Sequence, residues 1–268
     1  MVEADGRFDN ELYNPQGKKK TAWYNIFFAV LAGIVIVVCV CVIVFNIVFI
    51  RVQIIGVSME PTYNANLAVQ SGFDADAYYE NSPYKDTAYV NRFDKGSRGG
   101  IVVLYNADAG KNIIKRIIAV GGDTINIEPF LNTQTGKYEY YVCLGKGGAA
   151  AEQLDENYIF KNDTPVYCND LGVPDSSGDN DNTNGMYTCY LNFCKLKVNT
   201  PSGLQAQPDG SLLILTGYVF VLGDNRAHSE DSSIKGPFAV GSIVGAVSFC
   251  VPYNQNFLGY WWGRIFGG

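Results

Sequence analysis

From Ile26 to Phe45 the chain carries no charged residue, and the apolar run goes on to Ile50 with only Asn46 interrupting it. Roughly 20 such residues at ~1.5 Å of helical rise each cover the ~30 Å hydrocarbon core of a bilayer. A cleavable signal peptide has an apolar region of only ~7–15 residues and ends in small side chains. Here the run is longer and closes on Phe49-Ile50-Arg51-Val52, bulky where small residues would be needed. It is read as a single transmembrane helix over residues 24–50, in preference to a buried core helix. Arg7, Lys18, Lys19 and Lys20 precede it, whereas Arg51 alone follows within the next twenty residues. The positive-inside rule then keeps a short tail, 1–23, in the cytoplasm and exports everything beyond Arg51, with Trp23 and Tyr24 as an interfacial anchor.

Beyond the span the chain is strand-like. Short apolar runs at Val52–Val57, Ile101–Tyr105, Ile113–Val120, Thr124–Ile127, Leu212–Leu215, Tyr218–Leu222 and Val240–Val251 are punctuated by Gly, Asn, Asp and Pro. No long segment of helical period appears among them. The pattern predicts a mostly β fold: an N-terminal transmembrane helix followed by an exported antiparallel β-sheet domain. Between Glu128 and Thr216 the chain turns polar and rich in Tyr and Asn. Residues 128–216 are therefore read as an inserted β-rich subdomain, interrupting a main β domain formed by 51–127 and 217–268.

Charge and cysteines narrow the partners. A net charge of −6 over 268 residues argues against a nucleic-acid partner, which needs a concentrated basic surface. Of seven cysteines, Cys39 and Cys41 fall in the span; Cys143, Cys168, Cys189 and Cys194 fall in the exported insert, where disulfides are permitted. Four cysteines allow three pairings, and the sequence does not choose. Their spacing matches no zinc pattern. In the loop Asp175–Asn184, Asp179 and Asp181 imitate a calcium loop, but Asn184 stands where the Gly belongs and Tyr190 where the bidentate Glu belongs. No metal and no cofactor are expected.

Three motifs can carry chemistry. Gly56-Val57-Ser58-Met59-Glu60-Pro61-Thr62 places a serine at a strand end before a Pro-stiffened turn. Lys115-Arg116 stands between Ile113-Ile114 and Ile117-Ile118, and strand alternation groups Ile113, Lys115 and Ile117 on one face. If that face is buried, desolvation lowers the lysine pKa, and a neutral amine can take a proton from a serine hydroxyl. Gly223-Asp224-Asn225-Arg226-Ala227-His228-Ser229-Glu230-Asp231-Ser232-Ser233 is a dense polar loop after an apolar run, of the kind that orients catalytic groups. Each has a plain alternative: a surface serine, a lysine reaching to water, an ordinary turn.

Taken together and in this order, the motifs resemble those of the bacterial type I signal peptidases. That family has a Ser-Met-x-Pro-Thr box, an Arg-Gly-Asp-Ile-Val box, a Lys-Arg box ending Pro-Gly-Asp, and a Gly-Asp-Asn-Arg-x-x-Ser-x-Asp-Ser box. The likeness runs from Trp23 to about Tyr253, apart from the insert. It implies a membrane-anchored serine endopeptidase that cuts signal peptides from exported pre-proteins, without cofactor. By the same resemblance Ser58 is the nucleophile, Lys115 the general base, and Ser229 a hydroxyl that orients the lysine amine. Arg116, Asp224 and Asp231 are supporting polar residues, and the main-chain N–H of Ser58 meets the oxyanion. Gly56 stands where some members add a serine hydroxyl, Gly100 where the usual Asp stands, and Ala119 and Gly121 where the second box has Gly and Pro. Ser233 replaces an Arg that would pair with Asp231.

Geometry agrees with such a role. Ser58 follows the span by about seven or eight residues, a contour of at most ~25 Å, so it stays near the lipid surface where a signal peptide emerges. A substrate added as a strand beside Gln53, Ile55 and Val57 would present its small side chains there. The aromatic C-terminus, Phe257 to Trp262 with Arg264, either rests on the headgroups or completes the core. Three alternatives compete: a triad built on His228, the one histidine; a self-cleaving Ser–Lys repressor, which the export topology disfavours; and a non-catalytic anchored extracellular β domain.

Overall fold

The computed structural model describes residues 18–64, 85–134, 136–159, 185–226 and 228–266. The chain divides into two compact units after Ile47. The first holds helix α1, Lys18–Val48, whose described side chains are exposed along nearly its whole length. Such a helix has no protein core to bury it, and Trp23–Val48 is long and apolar enough to cross a membrane. Helix gives way to strand two residues earlier than expected: Phe49 and Ile50 already pair with Asn91 and Val90.

The second unit contains two antiparallel sheets. The seven-stranded sheet uses β1 (Phe49–Gln53), β2 (Thr87–Asn91), β3 (Ile101–Asn106), β4 (Lys111–Val120), β10 (Tyr218–Leu222), β11 (Phe238–Ala239) and β12 (Ile243–Val251). Their order across it is β1-β2-β12-β3-β4-β10-β11, so β1 is an edge and β4 is interior. The five-stranded sheet runs β7-β6-β5-β9-β8, from β5 (Thr124–Asn132), β6 (Lys137–Gly145), β7 (Glu152–Gln153), β8 (Leu204–Ala206) and β9 (Leu212–Ile214). The mostly antiparallel β fold is thus as expected.

Three local expectations change. The first predicted strand, Val52–Val57, is displaced: β1 ends at Gln53, because the Asn64 side chain claims the carbonyls of Ile54 and Gly56 (both 2.9 Å) and bends that stretch into a turn. Gly56 supplies the left-handed φ of 83° that the bend needs. Val240–Ser242 is a 3-10 turn rather than the start of the last strand. Finally, the region read as β-rich contains a 14-residue helix, α2 (Gly185–Val198). Met186, Cys189, Phe193 and Leu196 are buried on it at spacings of three, four and three, which is one helical face.

The second sheet begins at Thr124 and shares one core with the first. Ile118 and Ala119 of β4 and Phe220 and Leu222 of β10 pack with Ile125, Ile127, Val142, Leu212 and α2. Phe193 of α2 meets Phe220 edge-on at 6.1 Å, and both are fully buried. Interior β4 is covered on both faces: Ile114 joins a cluster with Met59 and Val103, Ile117 another with Val102 and Val221. A lysine at position 115 of this strand is therefore buried by its neighbours. Cys143, Cys189 and Cys194 are free thiols, while Cys168 and the Asp175–Asn184 loop lie outside the described residues.

Candidate active site

Ser58 sits on the turn that follows β1, held from both ends. Asn64 closes the turn on one side, its own N–H donating to Asp86 Oδ2 (2.7 Å) and its Oδ1 accepting from Asp86 N–H (2.9 Å). On the other side the Ser58 carbonyl accepts from Asn225 N–H at 3.1 Å, which ties the turn to the loop after β10. That approach requires glycine at 223: a β-carbon there would lie 2.5 Å from the Ser58 carbonyl oxygen. Gly223→Ala is expected to leave a folded protein but cut turnover by about 10²-fold, since a displacement near 1 Å costs that much. Steady-state kinetics with circular dichroism checks it, and unchanged kcat would refute the contact's importance.

Lys115 reaches Ser58 from β4. Its Nζ lies 2.8 Å from Ser58 Oγ and 2.9 Å from the Ile114 carbonyl oxygen. The residue is only 3% exposed, and this desolvation brings the amine down to about 8. The negative charges of Asp231, Asp224 and Glu230 work in the opposite direction and are outweighed.

Arg116, the next residue, makes a two-point ion pair with Asp224: Nε to Oδ1 at 2.8 Å and Nη2 to Oδ2 at 2.6 Å. Thr62 completes the clamp, its hydroxyl donating to Asp224 Oδ2. The Tyr158 ring covers the guanidinium at 3.9 Å. Asp231 has no arginine, yet it is satisfied: Oδ2 accepts from Gly223 N–H (2.9 Å), and Oδ1 from Ser233 N–H (3.0 Å) and hydroxyl (2.8 Å). Ser233 thus serves the carboxylate that an arginine would otherwise hold. Arg98, in the box that lacks its Asp, pairs with Asp123 by two bonds of 2.5 Å.

Ser229 makes no hydrogen bond to the lysine amine in this structure. Its Oγ is buried beside Gly223 and has no hydrogen-bond partner among the described residues, and the lysine amine bonds to the Ile114 carbonyl instead. Of the expected substrate positions, Gln53 and Ile55 are exposed on or just beyond edge strand β1, while Val57 is buried. Thr62, Asn64, Tyr158 and Asn225 escaped the sequence reading. Thr62 and Asn225 had a signal, as the last residue of the serine box and the third residue of the Gly-Asp-Asn-Arg box.

A hydroxyl against a buried amine of lowered pKa can lose its proton and attack a carbonyl; this is the chemistry of a serine hydrolase with an amine base. The family model described as signal peptidase, peptidase S26, matches residues 27–252, and the chain belongs to that family. Among its relatives is signal peptidase I V of Bacillus subtilis, 27% identical over 237 residues, covering 86% of this chain and 98% of that one. Signal peptidase I of Aquifex aeolicus is 29% identical over 173 residues, covering 59% of this chain and 63% of its own length. A solved signal peptidase I from Enterococcus faecalis aligns with 57% of this chain and 97% of its own, at 19% identity and a TM-score of 0.29, too slight a likeness to bear on the fold.

Proposed function

We propose that the protein is a membrane-anchored serine endopeptidase that removes signal peptides from exported pre-proteins, with Ser58 as nucleophile and Lys115 as general base. The observation that carries this reading is the 2.8 Å separation of Nζ and Oγ at a lysine 3% exposed. The neutral amine takes the Oγ proton as Oγ bonds to the scissile carbonyl carbon, and the Ser58 N–H meets the resulting oxyanion. The ammonium then returns the proton to the leaving amine, the peptide bond breaks, and an acyl-enzyme remains. Water, deprotonated by the same amine, releases the acyl group and frees Ser58. Arg116, Asp224 and Asp231 hold the two loops in register around the dyad. Ser229, whose hydroxyl is buried beside Gly223, is the residue that the family likeness assigns to orienting the amine.

The substrate adds as a strand along β1, the edge of the sheet among the described residues, with Gln53 and Ile55 on its path and Val57 behind it. Residues 128–216 elaborate a catalytic domain made by 51–127 and 217–268. In this reading the tail before Trp23 is cytoplasmic and the catalytic domain extracytoplasmic; Lys18, Lys19 and Lys20 before the span support that orientation. Protease added outside intact cells should then digest the β domain and spare the tail.

The decisive assay is cleavage of a pre-protein by the detergent-solubilised full chain. Wild type is expected to cut once after a small residue, Ser58→Ala not at all, and His228→Ala at a near-normal rate. Loss of cleavage on replacing His228 would point to a histidine triad. No cut by wild type would leave the alternative of a non-catalytic anchored domain.

A further inference from the structure

The turn over residues 223–226 steadies both members of the dyad. Its Asn225 N–H holds the Ser58 carbonyl at 3.1 Å, and its Asp224 clamps Arg116, the neighbour of Lys115. Arg226 closes the turn on itself, its Nε donating to the Gly223 carbonyl at 2.9 Å. That side chain is 3% exposed, and a guanidinium so buried needs a counter-charge. Glu156, itself 5% exposed, supplies it, accepting from Nη1 on Oε2 at 3.2 Å and from Nη2 on Oε1. This carboxylate stands 70 positions from its partner, among residues 128–216 and in none of the motifs that carry the chemistry.

Two residues on, Tyr158 joins this ion pair to the one made by Arg116 and Asp224. Its hydroxyl donates to Glu156 Oε1 at 3.0 Å, and its ring covers the Arg116 guanidinium at 3.9 Å. Burial raises the phenol above its ordinary range, and the Glu156 charge acts in the same direction, so the hydroxyl stays a donor at any working pH. The segment that carries Tyr158 is fastened on both sides. Leu154 and Ile159 pack against the core shared by the two sheets and α2, and the Leu154 N–H bonds to the Val142 carbonyl at 2.8 Å. From α2, the Met186 sulfur meets Arg226 Nη1 at 3.1 Å.

We propose that Tyr158 is a positioning residue for the dyad, set in place by the Glu156–Arg226 pair and holding Arg116 against Asp224 with its ring. The inference rests on the peptidase reading above and deepens it, because it makes residues 128–216 part of the catalytic frame. A guanidinium stacked on an aromatic face is shielded from water on that side, so its two bonds to Asp224 keep their directions. Arg116 is fixed in β4 beside Lys115, and Asp224 lies beside Asn225. A slack stack therefore lets the turn slide against the strand. Ser58 Oγ and Lys115 Nζ, 2.8 Å apart in this structure, are then no longer held at that separation. An error near 1 Å in such a pair costs about 10²-fold in rate. A merely structural contact would add to stability and leave turnover alone.

The test is cleavage of a pre-protein by the detergent-solubilised full chain at pH 9, where the Lys115 amine is mostly neutral. Separate kcat and KM values are taken, with the urea midpoint measured alongside. Tyr158→Leu removes the ring and leaves the ion pair; kcat is expected to fall about tenfold with KM within about twofold. Tyr158→Phe keeps the ring and should retain kcat within about threefold. Glu156→Gln leaves Arg226 without its counter-charge and should lower kcat at least as far as Tyr158→Leu; were it to unfold, the two Tyr158 variants decide. Tyr158→Leu with the kcat of wild type overturns the proposal, whether or not its urea midpoint has moved. So does a loss confined to KM, because the ring would then touch substrate. An equal loss in Tyr158→Phe overturns it too, because the ring would then be idle. A loss seen at pH 7 and absent at pH 9 does the same, since Tyr158 would then act on the proton affinity of Lys115. Wild type separates the two claims. If it cuts and Tyr158→Leu cuts as fast, this role alone is refuted, whereas no cut by wild type removes the peptidase reading and this role with it.

Discussion

Replacing Lys115 with Met should abolish cleavage and at the same time stabilise the protein. Methionine keeps the length of the side chain and gives the buried site a group that needs no water. Cleavage should fall by roughly 10³-fold or more, since the base proposed for both acylation and deacylation is gone. The stability gain follows from linkage. An ordinary lysine titrates near 10.5, and burial holds this one at about 8. Between those values the unfolded chain binds a proton that the folded chain does not, so wild-type stability rises with pH across that window. Below pH 8 the penalty of carrying the buried ammonium is fully present, about 3 kcal/mol for a shift of this size. At pH 7 the Met variant should therefore resist denaturant by about that amount, and its stability should no longer climb between pH 8 and 10.5. The same group sets the rate profile: kcat/KM of wild type should rise with pH, about tenfold per unit below 8, and level off above it. A Lys115→Met protein that is less stable than wild type at pH 7, or a rate flat from pH 6 to 9, would contradict a desolvated base.

The second large effect belongs to Asp224. Its carboxylate is wholly buried and the Arg116 side chain only 11% exposed, so neither charge has water to fall back on. Asp224→Ala strands the guanidinium and the Thr62 hydroxyl together, and loss of one member of a buried pair costs about 3–5 kcal/mol. Removing both charges is far milder, because the desolvation cost goes with them. Asp224→Leu with Arg116→Met should therefore recover most of the stability lost in Asp224→Ala, measured as the urea midpoint at constant m value. Activity should not recover alongside. The clamp joins Thr62, four residues past Ser58, to the residue beside Asn225, whose N–H holds the Ser58 carbonyl. Without it kcat should stay down by about 10²-fold while KM moves little. A loss below about 1 kcal/mol for Asp224→Ala would show that the pair is hydrated and not a structural clamp.

Much of this was legible in the chain because the signals are local. The span announces itself by an uncharged run, and β10, with neighbours on both sides and turn residues at both ends, has the bounds expected of it. β4 was recognisable from its paired isoleucines. Helix α2 was not, although Met186, Cys189, Phe193 and Leu196 carry the period: cysteine, tyrosine and asparagine between them dilute the contrast on which that period is read. β1 was displaced because its end is decided by Asn64, ten residues beyond Ile54, rather than by the strand's own residues.

Taken alone, the residues determined the membrane-spanning segment, the β character of the chain beyond it, and which serine and lysine were candidates for a dyad. Tertiary structure decided whether they could act as one. Ser58 and Lys115 are 57 positions apart, and the amine loses its water only because β3, β10 and the Ser58 turn close around β4. A pKa responds to everything packed around the group, and those neighbours come from strands remote in the chain. The same holds for Asp231, whose missing arginine is replaced by Gly223 and Ser233, and for Ser229, whose hydroxyl is buried with no hydrogen-bond partner among the described residues.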